Sequence, residues 1–182
     1  MNTRPGARHE SQTAPPALIG LGTNLPFGAL ARQNLLAASL SAIEAAGVKV
    51  LVTSGYWASP AWPPMEPPQP DYVNACAALD PGDLDAEALL GLLLQVEARF
   101  GRERGVRWAA RTLDLDLLDF RGQIRPGPDL ILPHPRLQER AFVLAPLAEI
   151  APAWRHPILG RTAAEMLADL GPGAEIRPAA PA

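Results

Sequence analysis

Two aspartates separated by one residue are the first feature of this sequence that could do chemistry. Asp114 and Asp116 lie in the segment RTLDLD at 111–116, where leucines alternate with them. Alternate side chains of a β-strand share one face, so both carboxylates point the same way, with their Cα atoms about 7 Å apart. Mg²⁺ binds such carboxylates together with phosphate oxygens and water. The segment predicts a magnesium site or, as the plainer alternative, the solvated face of an edge strand.

A cationic segment runs directly into this pair. Residues 99–111 read RFGRERGVRWAAR and contain five arginines and one glutamate, in a chain whose net charge is −3. Guanidinium groups bind phosphate oxygens bidentately, and with a metal ion they neutralise a polyphosphate. Two glycines predict a loop here. Trp108 within it either stacks on a planar ring or lies in the core.

Two further segments suit a small planar ligand and its phosphates. Tyr72 and Asn74 alternate in YVN, which places an aromatic ring beside a carboxamide on one strand face. The ring can stack and the carboxamide offers a donor and an acceptor, although the same pair also suits cross-strand packing. His134, Arg136 and Arg140 lie near a predicted helix start and indicate a phosphate contact, with helix capping as the alternative for the histidine.

Two common phosphate-binding motifs are missing from the sequence. There is no G-x-x-x-x-G-K-[ST], which excludes a P-loop enzyme. Gly20-x-Gly22 lacks the third glycine and the downstream acidic residue of a dinucleotide-binding fold. A bound nucleotide would therefore be held by arginines and metal.

Hydrophobic periodicity predicts the elements that position these residues. Strands are predicted at 17–22, 48–57, 72–79 and 112–120, and helices at 29–46 and 83–100. His134–Pro135 opens a short helix, and the capping box from Thr162 to Glu165 begins a last helix that Gly171 ends. This order predicts an α+β fold: a ferredoxin-like βαββαβ antiparallel sheet with helices packed on it and extra C-terminal helices. Residues 17–170 are expected to form a single domain between flexible tails at 1–16 and 171–182.

Composition limits the class of protein. The chain has 182 residues, of which 48% are hydrophobic and 19% charged, as expected of one globular domain. It has no apolar run of the roughly 18 residues that a membrane helix needs, and residues 1–16 lack the apolar part of a secretory signal. The net charge of −3 argues against non-specific binding to nucleic acid. We expect a cytoplasmic monomer whose partners are small molecules, with neither nucleic acid nor membrane among them.

Four segments together resemble the 6-hydroxymethyl-7,8-dihydropterin pyrophosphokinase family of folate biosynthesis. They read GLGTNL at 20–25, QPDYVNACAAL at 69–79, GRERGVRWAARTLDLDLL at 101–118 and LPHPRLQERAFVLAPLAEIAP at 132–152. The succession of RTLDLD, PHP and RAF is the most specific part of the resemblance. The resemblance implies transfer of the β,γ-diphosphate of ATP, as a unit, to the hydroxymethyl oxygen of the dihydropterin. It also implies release of AMP and the binding of two Mg²⁺ ions.

The resemblance also implies roles for individual residues. Asp114 and Asp116 would bind both metal ions, while Arg102 and Arg111 would hold phosphates and support transfer. The residues implied to contact ATP are Glu97, Arg104, Leu117, His134 and Arg140. Those implied to build the pterin pocket are Ser59, Pro60, Trp62, Tyr72, Asn74, Trp108 and Phe142, of which Trp108 is also within the nucleotide-binding segment.

Two other classes of protein share the predicted topology. A non-catalytic ferredoxin-like module would bind a nucleotide or another ligand without turning it over, but such a module has no need for two carboxylates facing a triphosphate. An RNA-binding sheet would present aromatic and basic side chains, whereas the central strand here carries carboxylates. The sequence therefore favours an enzyme.

Overall fold

A computed structural model describes residues 14–61, 66–102, 111–171 and 175–180. These described residues form a mixed α/β structure with four α-helices and an antiparallel sheet. In chain order the elements are β1 Ala17–Thr23, α1 Arg32–Ala45, β2 Lys49–Thr53, β3 Trp57–Ser59, β4 Tyr72–Asp80, α2 Ala86–Arg99, β5 Asp114–Phe120, β6 Arg125–Pro126, β7 Ile131–Leu132, α3 Ala141–Ile150, α4 Ala163–Asp169 and β8 Arg177–Pro178. A short 3₁₀ turn, Leu137–Glu139, precedes α3.

The main sheet has six strands, and its order is β5-β1-β4-β3-β8 with β2 also paired to β4. Every pairing in it is antiparallel. β1 lies between β4 and β5, so the two strands that carry the polar residues of interest flank a strand containing two glycines. β6 and β7 form a separate two-stranded pairing.

The strand predicted at 48–57 is two strands in the structure, so the prediction of a single strand is wrong. β2 pairs with the end of β4 and β3 pairs with its beginning, and the break falls at Ser54–Tyr56. Ser54 Oγ donates to Gly55 O at 2.8 Å and accepts from the backbone N of Cys76 at 2.9 Å. The backbone N of Ser54 also donates to Cys76 O at 2.9 Å, so Ser54 stays joined to β4 at the break while its side chain bonds to Gly55.

Both faces of the sheet are covered by helices. The first face packs against α1 and α2, and its core includes Ile19, Leu79, Leu89, Leu93 and Leu115. The second face packs against α3 and α4, and its core includes Leu18, Cys76, Leu118, Leu144 and Met166. Because successive strand residues point to opposite faces, the alternating apolar residues of β1, β4 and β5 supply both cores. The C-terminal helices are thus the second outer layer of the fold.

Two helix boundaries follow from local chemistry. Asp85 caps α2 by accepting from the backbone N of Ala88 at 2.8 Å, and the predicted capping box of α4 is confirmed, with Thr162 and Glu165 each bonding to the other's backbone. The helix expected to open at His134–Pro135 begins later, as a 3₁₀ turn at Leu137 and then α3 at Ala141. His134 lies before this turn, and its backbone N donates to Leu118 O of β5 at 2.8 Å.

Part of the predicted C-terminal tail belongs to the sheet, so a flexible tail beginning at 171 is wrong for this part. Arg177 and Pro178 form β8, which pairs with Ala58 and Trp57 of β3. The backbone N of Ala179 donates to Tyr56 O at 2.8 Å, and Arg177 forms an ion pair with Asp71 at 2.8 Å. Of the N-terminal tail predicted at 1–16, residues 1–13 lie outside the described residues.

In the described part of the chain, every helix is too short or too polar to span a bilayer.

Deleting residues 175–182 is expected to uncover the outer edge of β3 without unfolding the protein. The contacts that are lost are at the surface, so the midpoint of thermal unfolding should fall by no more than about 4 °C. Peptides that contain β3 should exchange their amide hydrogens faster, as measured by mass spectrometry. A chain shortened only by residues 181–182 is the control, since it keeps β8, and unchanged exchange in β3 after the longer deletion would contradict this role of β8.

Candidate active site

The two aspartates of β5 share one face of the sheet, as their spacing predicts. Antiparallel pairing sets Asp114 opposite Gly22 and Asp116 opposite Gly20. Both are partly open to solvent, with 23% of the Asp114 side chain and 34% of the Asp116 side chain exposed. This is the face that α3 and α4 cover further along, where Leu118 joins the second core. The carboxylates therefore lie at its uncovered end.

Gly22 forms the floor of the site. A Cβ atom added to Gly22 would lie 3.5 Å from Asn74 Oδ1, 3.7 Å from Tyr72 Cδ1 and 3.9 Å from Asp114 Cβ. Asn74 is also the β4 residue directly opposite Gly22. The missing side chain thus leaves a space that Asn74, Tyr72 and Asp114 border together, and a large residue would fill it.

Two arginines offset the charge of Asp114. Arg102 Nη1 lies 2.5 Å from Asp114 Oδ1, and Arg111 Nη1 donates to Oδ2 at 2.9 Å. Arg102 comes from the end of α2 and Arg111 from the approach to β5, so both ends of the cationic segment meet on the same carboxylate. The described ends of this segment support the predicted link between the arginines and the aspartate pair.

Glu97 holds Arg102 from the buried side. Its side chain is only 1% exposed, pairs with Arg102 Nη1, and accepts from the backbone N of Leu115 at 2.7 Å. Burial raises the pKa of Glu97, while the hydrogen bond from Leu115 and the charge of Arg102 oppose that rise. Glu97 therefore positions Arg102 and the start of β5, and its implied contact with ATP stays a prediction.

The turn after α2 directs Arg102 back toward Glu97. Gly101 has a φ of +75°, which favours glycine, and a Cβ there would lie 2.6 Å from Cε2 of Phe27. The ring of Phe27 also packs edge-on against Phe100 at 5.9 Å. The backbone N of Arg102 then donates to Glu97 O at 3.1 Å. Gly101 is thus required both by the turn and by the close approach of Phe27.

Arg140 and His134 lie beside the carboxylate of Asp116. Arg140 Nη1 donates to Asp116 Oδ2 at 3.1 Å, and His134 Nε2 lies 4.0 Å from the same oxygen. Burial lowers the pKa of His134, which keeps the imidazole neutral near pH 7. Its Nδ1 accepts from the backbone N of Arg136 at 3.2 Å, so the ring proton is on Nε2 and points toward the site.

The arginines beside Asp114 favour the charged form of its carboxyl group. Burial raises the pKa of Asp114, the neighbouring charge of Asp116 raises it further, and Arg102 and Arg111 lower it. Two carboxylates on alternate positions of one strand repel each other at this separation. The guanidinium groups offset that repulsion, and a metal ion at the same place would do the same.

Asn74 presents an oriented carboxamide. Its Nδ2 donates to Ser59 Oγ at 3.0 Å and to Trp57 O at 3.3 Å, so both amide hydrogens are used. Oδ1 faces the open space above Gly22 and offers an acceptor there. Burial raises the pKa of Tyr72, so the neighbouring phenol keeps its proton. This end of the site is therefore neutral and aromatic, in contrast to the charged end.

Asn24 is a site residue that the sequence analysis missed. Its side chain is buried, accepts from the backbone N of Arg111 at 2.8 Å, and donates to Gln69 Oε1 at 3.1 Å and to Pro70 O at 3.4 Å. It thereby joins the segment before β4 to the segment before β5. In the sequence Asn24 lies directly after β1, in GLGTNL, which is one of the segments that carry the family resemblance.

The remaining predicted residues are placed differently. Leu117 is 4% exposed and lies in the first core, on the opposite face from the aspartates, so its side chain cannot contact a ligand there and that prediction is wrong for the side chain. Phe142 lies at the start of α3 with the Arg140 guanidinium carbon 5.7 Å from its ring centre. Pro60 is exposed just after β3. Trp62, Arg104 and Trp108 lie outside the described residues.

These side chains together indicate a class of protein. One end of the site combines two carboxylates with three guanidinium groups, an arrangement that suits a phosphate-bearing ligand held with a hard cation. The other end offers an oriented amide oxygen beside a tyrosine, which suits a polar planar ring. The protein is accordingly of the kind that brings a phosphate compound and a small heterocycle together.

Comparison with known proteins gives the family. Residues 18–152 match the family model of 7,8-dihydro-6-hydroxymethylpterin-pyrophosphokinase (HPPK), and the chain belongs to this family. Relatives named 2-amino-4-hydroxy-6-hydroxymethyldihydropteridine pyrophosphokinase include one from Synechocystis, 40% identical over 83% of this chain and 74% of its own length. Another, from Methylorubrum extorquens, is 38% identical over 86% of this chain and 94% of its own length.

Solved structures of similar fold belong to longer proteins. Wild-type HPPK-DHPS of Plasmodium falciparum aligns with a TM-score of 0.66 at 12% identity, over 88% of this chain and 42% of that one. An HPPK-DHPS crystallised with substrates aligns with a TM-score of 0.62 at 12% identity, over 86% of this chain and 43% of that one. The present chain thus spans less than half of each, and at this identity the likeness concerns the fold.

Replacing Asn24 by alanine is expected to destabilise the fold by about 1–2 kcal/mol. The change leaves the backbone N–H of Arg111 without its acceptor in a buried place, and this cost is typical of such a loss. Urea unfolding measures it. Gln138→Ala removes an exposed side chain that donates only to Pro135 O and should change the free energy of unfolding by less than about 0.5 kcal/mol. Equal effects of the two changes would contradict the role of Asn24.

Proposed function

We propose that this site transfers the pyrophosphoryl group of ATP to 6-hydroxymethyl-7,8-dihydropterin, a step of folate biosynthesis. Membership of the HPPK family and the names of its relatives support this activity. The observation that carries the assignment to this site is the aspartate pair beside Arg102, Arg111 and Arg140, next to Asn74 and Tyr72 on one sheet face. Anionic and heterocyclic subsites thus lie side by side.

The proposed reaction moves two phosphoryl groups together. The hydroxymethyl oxygen attacks the β-phosphorus of ATP and forms a new P–O bond, while the bond from that phosphorus to the α,β-bridging oxygen breaks. AMP leaves with the bridging oxygen, and the hydroxyl proton is released. No covalent intermediate with the protein is needed, so positioning and charge neutralisation supply the catalysis.

Asp114 and Asp116 are the proposed ligands of Mg²⁺, with two ions bound together with ATP. Their carboxylates fit this role because they are hard oxygen donors on one face of β5, both partly exposed, and the bonds shown to Asp116 all go to Oδ2. The metal would neutralise phosphate oxygens and favour ionisation of the substrate hydroxyl. The arginines now paired with the aspartates would then be released toward phosphate.

The cationic side chains are proposed to bind the triphosphate. Arg102 and Arg111 would hold phosphates through transfer, and Arg140, His134 and Arg104 would contact ATP. Support comes from the position of the described members: each lies against an aspartate, so each would meet a phosphate bound to a metal at that aspartate. Neutral His134 would donate its Nε2 proton.

The neutral end of the site is proposed to bind the pterin. Asn74 Oδ1 would accept a hydrogen bond from a ring N–H, because both hydrogens of its own amide are already donated to β3. Tyr72 or Phe142 would stack on the ring. The other proposed pocket residues are Ser59, Pro60, Trp62 and Trp108. The alternative of a non-catalytic binding module is not favoured, because the family to which the chain belongs is a family of enzymes.

The proposal also covers the topology, the domain bounds, the cellular location and the oligomeric state of the protein. The strand order and the antiparallel pairing support a ferredoxin-like topology for β1–β5 with α1 and α2. We further propose that residues 17–170 form a single domain, with β8 added at the edge of its sheet, and that the protein works as a cytoplasmic monomer on small molecules.

Asp116→Ala is expected to abolish turnover, with kcat reduced by about 100-fold or more, because a metal ligand is lost. The assay is separation of AMP and ADP after incubation with ATP, Mg²⁺ and the dihydropterin. Folding should persist, since one side of the carboxylate repulsion disappears with the side chain.

Glu87→Gln is the matched control, because it also removes one carboxylate that is paired with an arginine. Glu87 is exposed on α2, and its partner is Arg125, away from the site. Its activity should remain within about twofold of the parent chain. Near-normal turnover in Asp116→Ala would refute the proposed metal ligand.

A further inference from the structure

Glu149 joins the last turn of α3 to the strand that borders the neutral end of the site. Its Oε2 accepts from the backbone N of Gly55 at 2.8 Å, and its Oε1 accepts from Trp57 Nε1 at 3.0 Å. Gly55 lies in the break between β2 and β3, and Trp57 is the first residue of β3. The Glu149 carboxylate therefore binds both Gly55, which precedes β3, and the side chain of Trp57, the first residue of β3.

The position of Glu149 does not serve the helix itself. An acidic side chain in the last turn of a helix lies near the negative end of the helix dipole, which disfavours it. The side chain is also exposed, so it contributes little to the core. Its two accepted hydrogen bonds are the favourable interactions that the structure shows for it, and both go to the segment that leads into β3.

β3 needs such support because it is short. It has three residues, and its pairs with β4 are Trp57 with Asn74, Ala58 with Val73, and Ser59 with Tyr72. A strand of this length has few hydrogen bonds to hold its register. A shift of β3 would move both acceptors of the Asn74 amide, namely Trp57 O and Ser59 Oγ.

The orientation of Asn74 thus depends on where β3 lies. Both amide hydrogens point to β3, and Oδ1 is turned to the space above Gly22. If β3 moved away, the amide could rotate and present a donor where the site now presents an acceptor. Discrimination of the heterocycle would then be lost, whereas the charged end would keep its own contacts on β5 and α2.

We propose that Glu149 is a positioning residue for pterin recognition: by holding Gly55 and Trp57 it fixes β3, and through β3 it fixes the acceptor orientation of Asn74. This inference rests on the proposed function, since it assigns the neutral end of the site to the pterin. It also predicts a separation of effects, because the two substrates bind opposite ends of the site and only one end depends on Glu149.

The test is Glu149→Gln, assayed for kcat and for the KM of each substrate. A glutamine has one acceptor oxygen, so its amide group must face one of the two N–H donors and lose that hydrogen bond. The KM for the dihydropterin should rise about fivefold to tenfold, as for the loss of one charge-assisted hydrogen bond at a partly exposed place, while the KM for ATP changes less than about twofold. Exchange of amide hydrogens in residues 54–59 should become faster.

Two further variants separate positioning from general damage. Trp57→Phe removes the hydrogen bond to Glu149 Oε1 while keeping an aromatic ring, and it should change the same KM in the same direction by a smaller factor. Glu87→Gln removes an exposed carboxylate elsewhere and should leave both KM values unchanged.

Equal changes in both KM values, or no change in the KM for the dihydropterin, would overturn the inference while the parent chain still forms AMP. Failure of the parent chain to form AMP would instead overturn the proposed function, and this inference with it.

Discussion

The repulsion between Asp114 and Asp116 is the constraint around which the site is built. β-strand geometry places both carboxylates on one face, and burial further disfavours the charge of Asp114. Arg102, Arg111 and Arg140 offset that cost, and each is delivered by a different part of the chain: the end of α2, the approach to β5, and the residue before α3. Folding of the surrounding elements and assembly of the charged site are therefore linked.

The layers around the sheet are unequal, and the aspartates lie where the second layer is incomplete. The first face is covered by α1 and α2, whereas α3 and α4 cover only part of the second face and leave the aspartates open to solvent. Glycines at positions 20 and 22 leave no side chain on this face of β1. The site thus lies at the edge of the second core. Phosphate compound and heterocycle can lie side by side along the strands of this face.

Features of the fold that depend on neighbouring residues could be predicted from the sequence, whereas features that depend on contacts between distant residues could not. The alternation in LDLDLL set the face of the aspartates, and the S/T-x-x-E pattern at Thr162 set the start of α4, because both depend on neighbouring residues alone. The break between β2 and β3 was missed because Ser54 bonds to Cys76, which is distant in sequence. β8 was missed because its two residues pair only through tertiary contact with β3.

The same reasoning explains the errors within the site. Asn24 and Glu149 lie in segments that carry the family resemblance, but their roles become visible only where the fold brings together the segments that they join. Leu117 was assigned to the nucleotide by resemblance, although the alternation of β5 already placed its side chain in the core. The resemblance thus indicated the reaction, whereas strand geometry indicated which side chains can contact the substrates.

The most direct test of the proposed pyrophosphoryl transfer is to quantify the nucleotide product of the purified chain with ATP, Mg²⁺ and 6-hydroxymethyl-7,8-dihydropterin. We expect AMP in equal amount to the dihydropterin diphosphate, with no AMP formed when either Mg²⁺ or the dihydropterin is omitted. Formation of ADP, or binding of ATP without any turnover, would contradict it.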